Sequence, residues 1–246
     1  MGISISIKEK YIQALGAGEI SLKGEFVWGS NYTFLIQITH HGDLINAVYK
    51  PTKGERPLWD FPPLTLTKRE VAAYIVSEAL GWDLVPPTVY RQEAPYGPGS
   101  VQLYIEHDPE YHYFNFSESD RNLLRPVVVF DLLVNNADRK GSHLLFDNQH
   151  RLWAIDHGIC FHVEDKLRTV IWDFAREPIP DALISDLTQF ISRLAGNEQK
   201  EDIARLRRFL DKSEIRAMQR RAEQLIRQKI FPAPLGDRRQ YPWPLI

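Results

Sequence analysis

The strongest constraint on the fold is a change of residue pattern part-way along the chain. Up to residue 105, β-branched and aromatic residues form short runs separated by turn residues, which is typical of strands. From Ser119 onward, apolar residues recur mostly at helical spacing. A chain of 246 residues divided in this way predicts an α+β protein with two lobes. The β-rich lobe would span residues 1–105, and the mainly helical lobe residues 106–246.

The predicted elements follow from these patterns and from the turn residues between them. Five strands are predicted: Ile20 to Trp28, Tyr32 to Thr39, Leu44 to Lys50, Thr88 to Arg91 and Val101 to Ile105. A helix over Thr67 to Leu80 interrupts them and ends at Gly81. Four helices are predicted in the second half: Asp120 to Val134, Pro180 to Ala195, Glu198 to Leu210 and Ser213 to Ile230.

The composition of the chain indicates the cellular compartment. No apolar run approaches the roughly 20 residues that a membrane-spanning helix requires, and the start MGISISIKEK lacks the apolar core of a secretory signal. Cys160 is the only cysteine, so no intrachain disulfide is possible. We therefore expect a cytoplasmic protein without a membrane span.

Residues 205–229 carry a concentration of positive charge. Their net charge is +6, whereas the rest of the chain carries −8. Such a stretch is able to bind an acidic partner, anionic lipid or nucleic acid. An apolar stripe at helical spacing, formed by Ile215, Met218, Ala222 and Leu225, instead favours an amphipathic helix with a solvated basic face. Nucleic-acid binding is therefore not favoured, and an acidic partner remains an alternative.

Two aspartates flank a predicted hairpin in NNADRKGSHLLFDNQHRLWAIDHG, residues 135–158. Leu144 to Phe146 and Arg151 to Ile155 can pair across the turn at residues 147–150. The hairpin would bring Asp138 and Asp156, at its two ends, to one site. Paired carboxylates are used in metal-assisted phosphoryl transfer, where one orients a hydroxyl and the other holds Mg²⁺. Surface aspartates at turns are the alternative interpretation.

A second constellation joins a strand lysine to a helix glutamate. Strand alternation puts Val48 and Lys50 on one face, and Glu70 follows twenty residues later in the first turn of a predicted helix. Kinases use such a Lys–Glu pair to hold nucleotide phosphates. The alternative is that Thr67-x-x-Glu70 forms a capping box, which stabilises the helix and has no chemical role.

The order of these elements resembles the bacterial branch of the phosphatidylinositol 3- and 4-kinase-like superfamily. More closely, the chain is similar to an actinobacterial-type family in the segments AVYKPTKGERPLWDFP, REVAAYIVSEALGW, NNADRKGSH and LWAIDHGICFH. The resemblance runs from about Gly18 to Pro180. It implies the bilobal protein-kinase-like fold. It also implies ATP-dependent phosphoryl transfer, with Mg or Mn, to a hydroxyl of a protein, lipid or small molecule.

The resemblance assigns roles to particular residues. Lys50 would contact the nucleotide phosphates and Glu70 would anchor it. Asp138 would be the catalytic aspartate, and Asp156 would bind the metal. Lys140 occupies the position where protein kinases place a lysine for the γ-phosphate and lipid kinases usually a histidine.

The nucleotide's other contacts are also assigned by position. Val48 would lie below the adenine, and Leu103 to Ile105 would form the hinge. The phosphate loop would be Gly29-Ser30-Asn31, whose Ser30 and Asn31 and backbone N–H groups would contact a phosphate. This loop is short and lacks the G-x-G-x-x-G of protein kinases.

His143 departs from the family pattern because the position normally holds a metal-binding asparagine. Imidazole favours Mn or Zn over Mg, which prefers oxygen ligands. If His143 binds metal, the affinity of the site for the metal should fall as the pH drops through about 6.5, the pKa of an unperturbed histidine. The departure also leaves open a pseudokinase or nucleotide-binding scaffold, and transfer of AMP in place of phosphate is a further alternative.

The acceptor is constrained only weakly. The segment between Ile159 and Pro180 contains three basic and four acidic residues. A slightly acidic segment disfavours a polyphosphorylated headgroup and leaves protein or small-molecule hydroxyls open.

Overall fold

The strand pattern of the first hundred residues folds into one antiparallel sheet with the order β1-β2-β3-β5-β4. The structure, a computed structural model, describes residues 5–26, 32–195, 201–234 and 240–246. The strands of this sheet are β1 Glu19–Glu25, β2 Phe34–His40, β3 Asp43–Pro51, β4 Thr88–Arg91 and β5 Gly99–Leu103. All five predicted strands are therefore present, although residues 27–28, at the end of the first prediction, lie outside the described residues.

The register of β3 decides which side chains face the cleft. His41 and Gly42 both have positive φ, the backbone of a tight type I′ hairpin turn between β2 and β3. From that turn, Ala47 and Tyr49 point into a buried core, while Val48 and Lys50 point to the other face. The predicted alternation is confirmed.

Helix α1, Ile5–Ala17, was not predicted from the sequence. It packs on the sheet face that Ala47 and Tyr49 present, with Ala14 and Leu15 buried. Lys8 of this helix also forms ion pairs with Glu78, at 3.0 Å, and with Asp83. Because only two of its residues are buried, the helix carries almost no amphipathic pattern.

Helix α2, Leu66–Leu80, begins one residue before the predicted start and ends at Gly81 in the left-handed conformation. The carboxylate of Glu55 accepts hydrogen bonds from the backbone N–H groups of Leu66, at 3.0 Å, and Thr67, at 2.8 Å. Glu55 therefore satisfies the free N–H groups at the helix start. The capping-box interpretation is wrong, because Thr67 lies inside the helix and Glu70 has other partners.

The second half of the chain is mainly helical, as predicted. Its helices are α3 Glu118–Asn122, α4 Arg125–Val134, α5 Asp181–Ala195, α6 Glu201–Leu206 and α7 Lys212–Gln228. The single helix predicted at 120–134 is divided, because Pro126 cannot donate a backbone hydrogen bond and starts a new helix. The helix predicted at 198–210 is shorter, and residues 198–200 lie outside the described residues.

The predicted hairpin and amphipathic helix are both confirmed. Strands β6, Leu144–Phe146, and β7, Leu152–Ala154, pair antiparallel. Helix α7 buries the apolar stripe and leaves Arg216, Arg220 and Arg227 exposed. None of the helices in the described ranges combines the length and apolar character needed to cross a bilayer.

Helix α2 belongs to the same core as the C-terminal helices. Its buried residues pack in one cluster with α4, α5 and α7, whereas the sheet and α1 form a second, smaller cluster. Helix α2 is thus held in place by packing against the helices of the second half of the chain. The lobe boundary at residue 105 stays a prediction.

Candidate active site

A cleft of about 440 Å³ lies between the five-stranded sheet and the β6–β7 hairpin. Seven residues predicted from the sequence line it: Val48, Lys50, Glu70, Leu103, Ile105, Asp138 and Asp156. Lys140 and His143 contact two of these, as described below. Ser30 and Asn31 lie outside the described residues, so their contribution stays a prediction.

Lys50 connects strand β3 to Glu70 of helix α2 and to Asp156, which follows β7. Its Nζ lies 2.5 Å from Glu70 Oε1 and 3.0 Å from Asp156 Oδ1. Burial alone would lower the pKa of Lys50, but the carboxylates of Asp156 and Glu70 raise it above its usual value, so the ammonium stays charged. Gly99 permits this arrangement, because a Cβ there would collide with the carbonyl oxygen of Lys50 as β5 pairs with β3.

Glu70 is a buried carboxylate with two partners. Its Oε1 faces Lys50, and its Oε2 accepts a hydrogen bond from the backbone N–H of His157 at 2.9 Å. Helix α2 is thereby tied to strand β3 and to the segment that follows β7. Burial raises the pKa of Glu70, and the Lys50 ammonium opposes that rise.

Asp156 follows β7 and has φ of 60°, in the left-handed region that non-glycine residues seldom adopt. This backbone turns its carboxylate between Lys50 and His143, whose Nε2 lies 3.3 Å from Asp156 Oδ2. Burial alone would raise the pKa of Asp156, but the Lys50 ammonium and His143 hold it well below its usual range. Asp156 is therefore ionised at any physiological pH.

His143 lies in a short 3₁₀ turn between Asp138 and β6 and is mostly buried. Its Nδ1 accepts a weak hydrogen bond from the backbone N–H of Lys140 at 3.4 Å, which places the proton on Nε2, toward Asp156. Burial lowers the pKa of His143 to about 4, although Asp156 opposes this. This pKa lies below the value of about 6.5 that a solvated imidazole would have. The pH dependence of metal binding stays a prediction.

Asp138 lies on the loop that follows α4. Its backbone N–H donates to Asn136 Oδ1 at 2.9 Å, and its carboxylate lies 3.5 Å from Lys140 Nζ. Burial raises the pKa of Asp138 to about 6, with Lys140 opposing the rise and Asp156 adding to it. A carboxylate with this pKa is mostly ionised at neutral pH and remains a usable proton acceptor.

Arg139 organises this loop from inside the protein, a role that the sequence did not reveal. It is fully buried and donates from Nη1 to the carbonyl oxygen of Ile155 at 2.8 Å. Its Nη2 lies 2.7 Å from Nε2 of His157, which is therefore the acceptor. Arg139 thus links the loop that carries Asp138 to the residues on either side of Asp156.

The segment after Asp156 is joined to the same loop by backbone hydrogen bonds. The backbone N–H of Arg139 donates to the carbonyl oxygen of Arg168 at 3.0 Å, and the backbone N–H of Val170 donates to the carbonyl oxygen of Arg139 at 3.1 Å. At the far end of the chain, the carbonyl oxygen of Leu245 accepts from Gly141 N–H at 2.8 Å. The loop's backbone is therefore fixed by two distant segments.

The cleft is also lined by apolar side chains. Leu145 of β6 and Ile155, just after β7, line it together with Val48 and Leu103. From the sequence, Leu145 and Ile155 were predicted only as strand residues. Their signal was available, because a hairpin that carries Asp138 and Asp156 at its ends must also present side chains to the same cleft.

Comparisons with known proteins identify the family. The profile of phosphatidylinositol 3- and 4-kinases matches residues 64–227, which include α2, the Asp138 loop and Asp156. The protein Rv2133c of Mycobacterium tuberculosis is 36% identical over 278 aligned positions, covering 99% of this chain and 98% of that protein. The chain belongs to the phosphatidylinositol 3- and 4-kinase family. The resemblance drawn from the sequence is confirmed.

Solved structures show that this family member has a protein-kinase-like fold. The Golgi casein kinase with Mn/ADP bound matches with a TM-score of 0.57 and 15% identity, over 92% of this chain and 76% of that chain. Hydra Fam20 with sugar matches with a TM-score of 0.54 and 14% identity, over 92% and 89% of the two chains. The predicted bilobal α+β fold is confirmed.

Proposed function

We propose that this phosphatidylinositol 3- and 4-kinase family member transfers a phosphoryl group from ATP to a hydroxyl acceptor. The observation that carries the proposal is the position of Lys50, which bridges Glu70 and Asp156 in a cleft that also contains Asp138. An ammonium held by two carboxylates is a fixed positive charge for phosphate oxygens. The apolar side chains that line the cleft support a purine ring between Val48 and Leu145.

A divalent metal fits beside Asp156. Two ligands at adjacent corners of an octahedron with 2.1 Å bonds are about 3.0 Å apart, close to the 3.3 Å between His143 Nε2 and Asp156 Oδ2. No group of three His, Cys, Asp or Glu side chains in the described ranges could hold the metal alone, so phosphate and water oxygens would complete its shell. A carboxylate and an imidazole favour Mn²⁺ over Mg²⁺. When bound, the metal would offset negative charge on the phosphates.

The protein's own groups then have distinct tasks. Asp138 would accept the proton of the acceptor hydroxyl as that oxygen bonds to the γ-phosphorus and the bond to the β–γ bridging oxygen breaks. Lys50 would hold oxygens of the departing ADP. Lys140, 3.5 Å from Asp138, would hold an oxygen of the transferred group.

A second candidate function is nucleotide binding with little transfer. His143 supports it, because its Nδ1 accepts from Lys140 N–H, so the proton lies on Nε2, the atom 3.3 Å from Asp156, and the imidazole must change tautomer before Nε2 binds metal. In that case the cleft would bind ATP and act as a scaffold.

Incubation with ATP labelled at the α- or γ-phosphate, with Mg²⁺ or Mn²⁺, separates these functions. Transfer of the γ-label to an acceptor or to the protein itself supports the kinase, and transfer of the α-label identifies an AMP transferase. ATP binding without either transfer supports the scaffold. Absence of ATP binding in wild-type protein with both metals contradicts the proposal.

The cellular setting is part of the same proposal. We place the activity in the cytoplasm, where ATP is abundant and a lone buried thiol such as Cys160 stays reduced. The acceptor hydroxyl stays open among protein, lipid and small-molecule classes. The exposed basic face of α7 is a proposed contact for an acidic partner.

A further inference from the structure

Arg69 is a buried charge between helix α2 and the helical half of the protein. It precedes Glu70, and its side chain is only 2% exposed. Its Nη2 donates to Glu214 Oε1 at 2.5 Å, and its Nη1 donates to the carbonyl oxygen of Cys160 at 2.6 Å. The guanidinium also lies over the ring of Phe61, 4.9 Å from the centroid.

Besides a long hydrogen bond to Thr65 Oγ1 at 3.4 Å, the side chain of Arg69 has two partners, Glu214 and Cys160, that are themselves fixed. Glu214 accepts from the backbone N–H of Asp211 at 2.9 Å, in the capping box that starts α7. Cys160 lies four residues after Asp156, at the start of the segment Ile159–Pro180. A buried guanidinium is tolerated only where it is paired and hydrogen-bonded, so these contacts define one position of α2.

The loop before α2 is fastened to the same segment. Asp60 forms an ion pair with Lys166 at 3.1 Å, and its carbonyl oxygen lies 3.0 Å from His162 Nε2. The ring of Phe61, which covers Arg69, meets the imidazole of His162 edge-on at 5.2 Å. Helix α2, through Arg69, and the loop before it, through Asp60 and Phe61, therefore make separate contacts with the segment Ile159–Pro180.

We propose that Arg69 is a positioning residue that couples α2 to the segment Ile159–Pro180 and thereby sets the Lys50–Glu70–Asp156 geometry. The coupling is built from side chains already present, so it requires no modification of the segment. Its consequence for nucleotide binding rests on the proposed function. Arg69 acts through Glu70 and the segment, since its own polar atoms are engaged by Thr65, Cys160 and Glu214.

Cys160 provides a reporter of this coupling that does not depend on activity. It is the only cysteine in the chain and is fully buried, so alkylation of its thiol requires the segment to open. The alkylation rate in native buffer therefore measures opening of the segment. Urea denaturation followed by tryptophan fluorescence measures global stability in parallel.

The test compares Arg69→Met with Arg151→Met. Arg151 is a matched control because it also pairs with a carboxylate, Asp83 at 3.5 Å, and lies over an aromatic ring, Trp153 at 4.0 Å, and neither partner belongs to the segment Ile159–Pro180. We expect Arg69→Met to raise the alkylation rate at least tenfold beyond what its global stability explains. The Kd for ATP with Mn²⁺ should rise at least tenfold as well. In Arg151→Met, alkylation should follow global stability alone, and the Kd should not change.

The two proposals fail in different ways. If wild-type protein binds no ATP, the proposed function fails, while the alkylation comparison still decides whether Arg69 couples the two elements. The inference is overturned if alkylation in Arg69→Met follows global unfolding, as in the control. An unchanged Kd in Arg69→Met also overturns it. Should Arg69→Met not fold, Glu214→Gln decides, because it removes the charge that pairs with Arg69 and leaves a single acceptor oxygen. Alkylation at least threefold above wild type, beyond what global stability explains, is then expected.

Discussion

Arg139 and Asp131 form a two-pronged ion pair inside the protein, with Nε donating to Oδ2 at 2.8 Å and Nη2 donating to Oδ1 at 2.9 Å. Neither side chain is more than 2% exposed. Asp131 Oδ1 also accepts from Asn136 Nδ2 at 3.0 Å. Helix α4 is thereby tied to the loop on both sides of Asp138, which makes the position of that carboxylate depend on a pair that the cleft does not contain.

The first prediction concerns this pair. Asp131→Asn should lower the free energy of unfolding by about 3–5 kcal/mol, because it leaves the Arg139 guanidinium buried without its counter-charge. Urea denaturation measures the change. As a control, Glu177→Gln removes the partner of Arg125 at a site where the carboxylate is 45% exposed, and should cost less than about 1 kcal/mol. Equal losses in the two variants would contradict the importance of burial.

The second prediction separates stability from nucleotide binding at Lys50. Lys50→Met leaves the buried Glu70 carboxylate with only its His157 hydrogen bond, so the free energy of unfolding should fall by on the order of 3 kcal/mol. Adding Glu70→Gln should restore most of that stability, because a neutral amide still accepts from His157. Neither variant should show the rise in Tm that ATP with Mn²⁺ gives wild type. Thermal melts with and without ligand measure both effects, and a wild-type shift in the double variant would remove Lys50 from the site.

Local patterns predicted much of this fold. The turn before β3, the alternation that directs Lys50 into the cleft and the hairpin between Asp138 and Asp156 are properties of short stretches, and all three are present. The missed helix α1 has only two buried residues, so no apolar stripe marked it.

Long-range pairs were not predictable from one sequence. Arg69 and Glu214 are 145 positions apart, and Glu55 caps a helix that starts eleven residues later. No local spacing connects such partners. The capping-box interpretation of Glu70 failed for the same reason, since Lys50 and His157 compete for its carboxylate only after the chain has folded. The pKa of His143 likewise depends on burial that its neighbours in sequence do not indicate.

The third prediction concerns Asp138, whose folded-state pKa is raised to about 6. A carboxyl group with a raised pKa stabilises the fold below its unfolded pKa, and this contribution is lost as pH rises through the folded value. Asp138→Asn should therefore be more stable than wild type at pH 8, by on the order of 1–2 kcal/mol, and equally stable near pH 3.5. Urea denaturation at both pH values measures this.

The same variant should lose roughly 10²- to 10⁴-fold in transfer rate, the usual contribution of a positioned acid–base group. ATP binding should be retained, because Lys50 and Asp156 are unchanged. If Asp138→Asn is less stable than wild type at pH 8, the ionised carboxylate of Asp138 is not destabilised by its burial. An unchanged rate would remove Asp138 from proton transfer.

The last prediction concerns His143 and the metal. Since burial lowers its pKa to about 4, His143 should remain neutral from pH 5.5 to 8, and Mn²⁺ affinity should be nearly constant over that range. A solvated imidazole would instead lose affinity below pH 6.5 or so. Wild type should prefer Mn²⁺, and His143→Asn should prefer Mg²⁺ because an amide oxygen replaces the nitrogen ligand. Calorimetric titration of each metal with ADP present measures both quantities.

The constant ionisation of Asp156 makes this titration decisive for His143. Asp156 is ionised throughout the range, so its carboxylate contributes equally in both proteins and at every pH. Any difference in metal preference between wild type and His143→Asn therefore comes from the ligand at position 143. If both proteins show the same preference, His143 is not a metal ligand, and the single carboxylate of Asp156 with the nucleotide phosphates is sufficient to hold the metal.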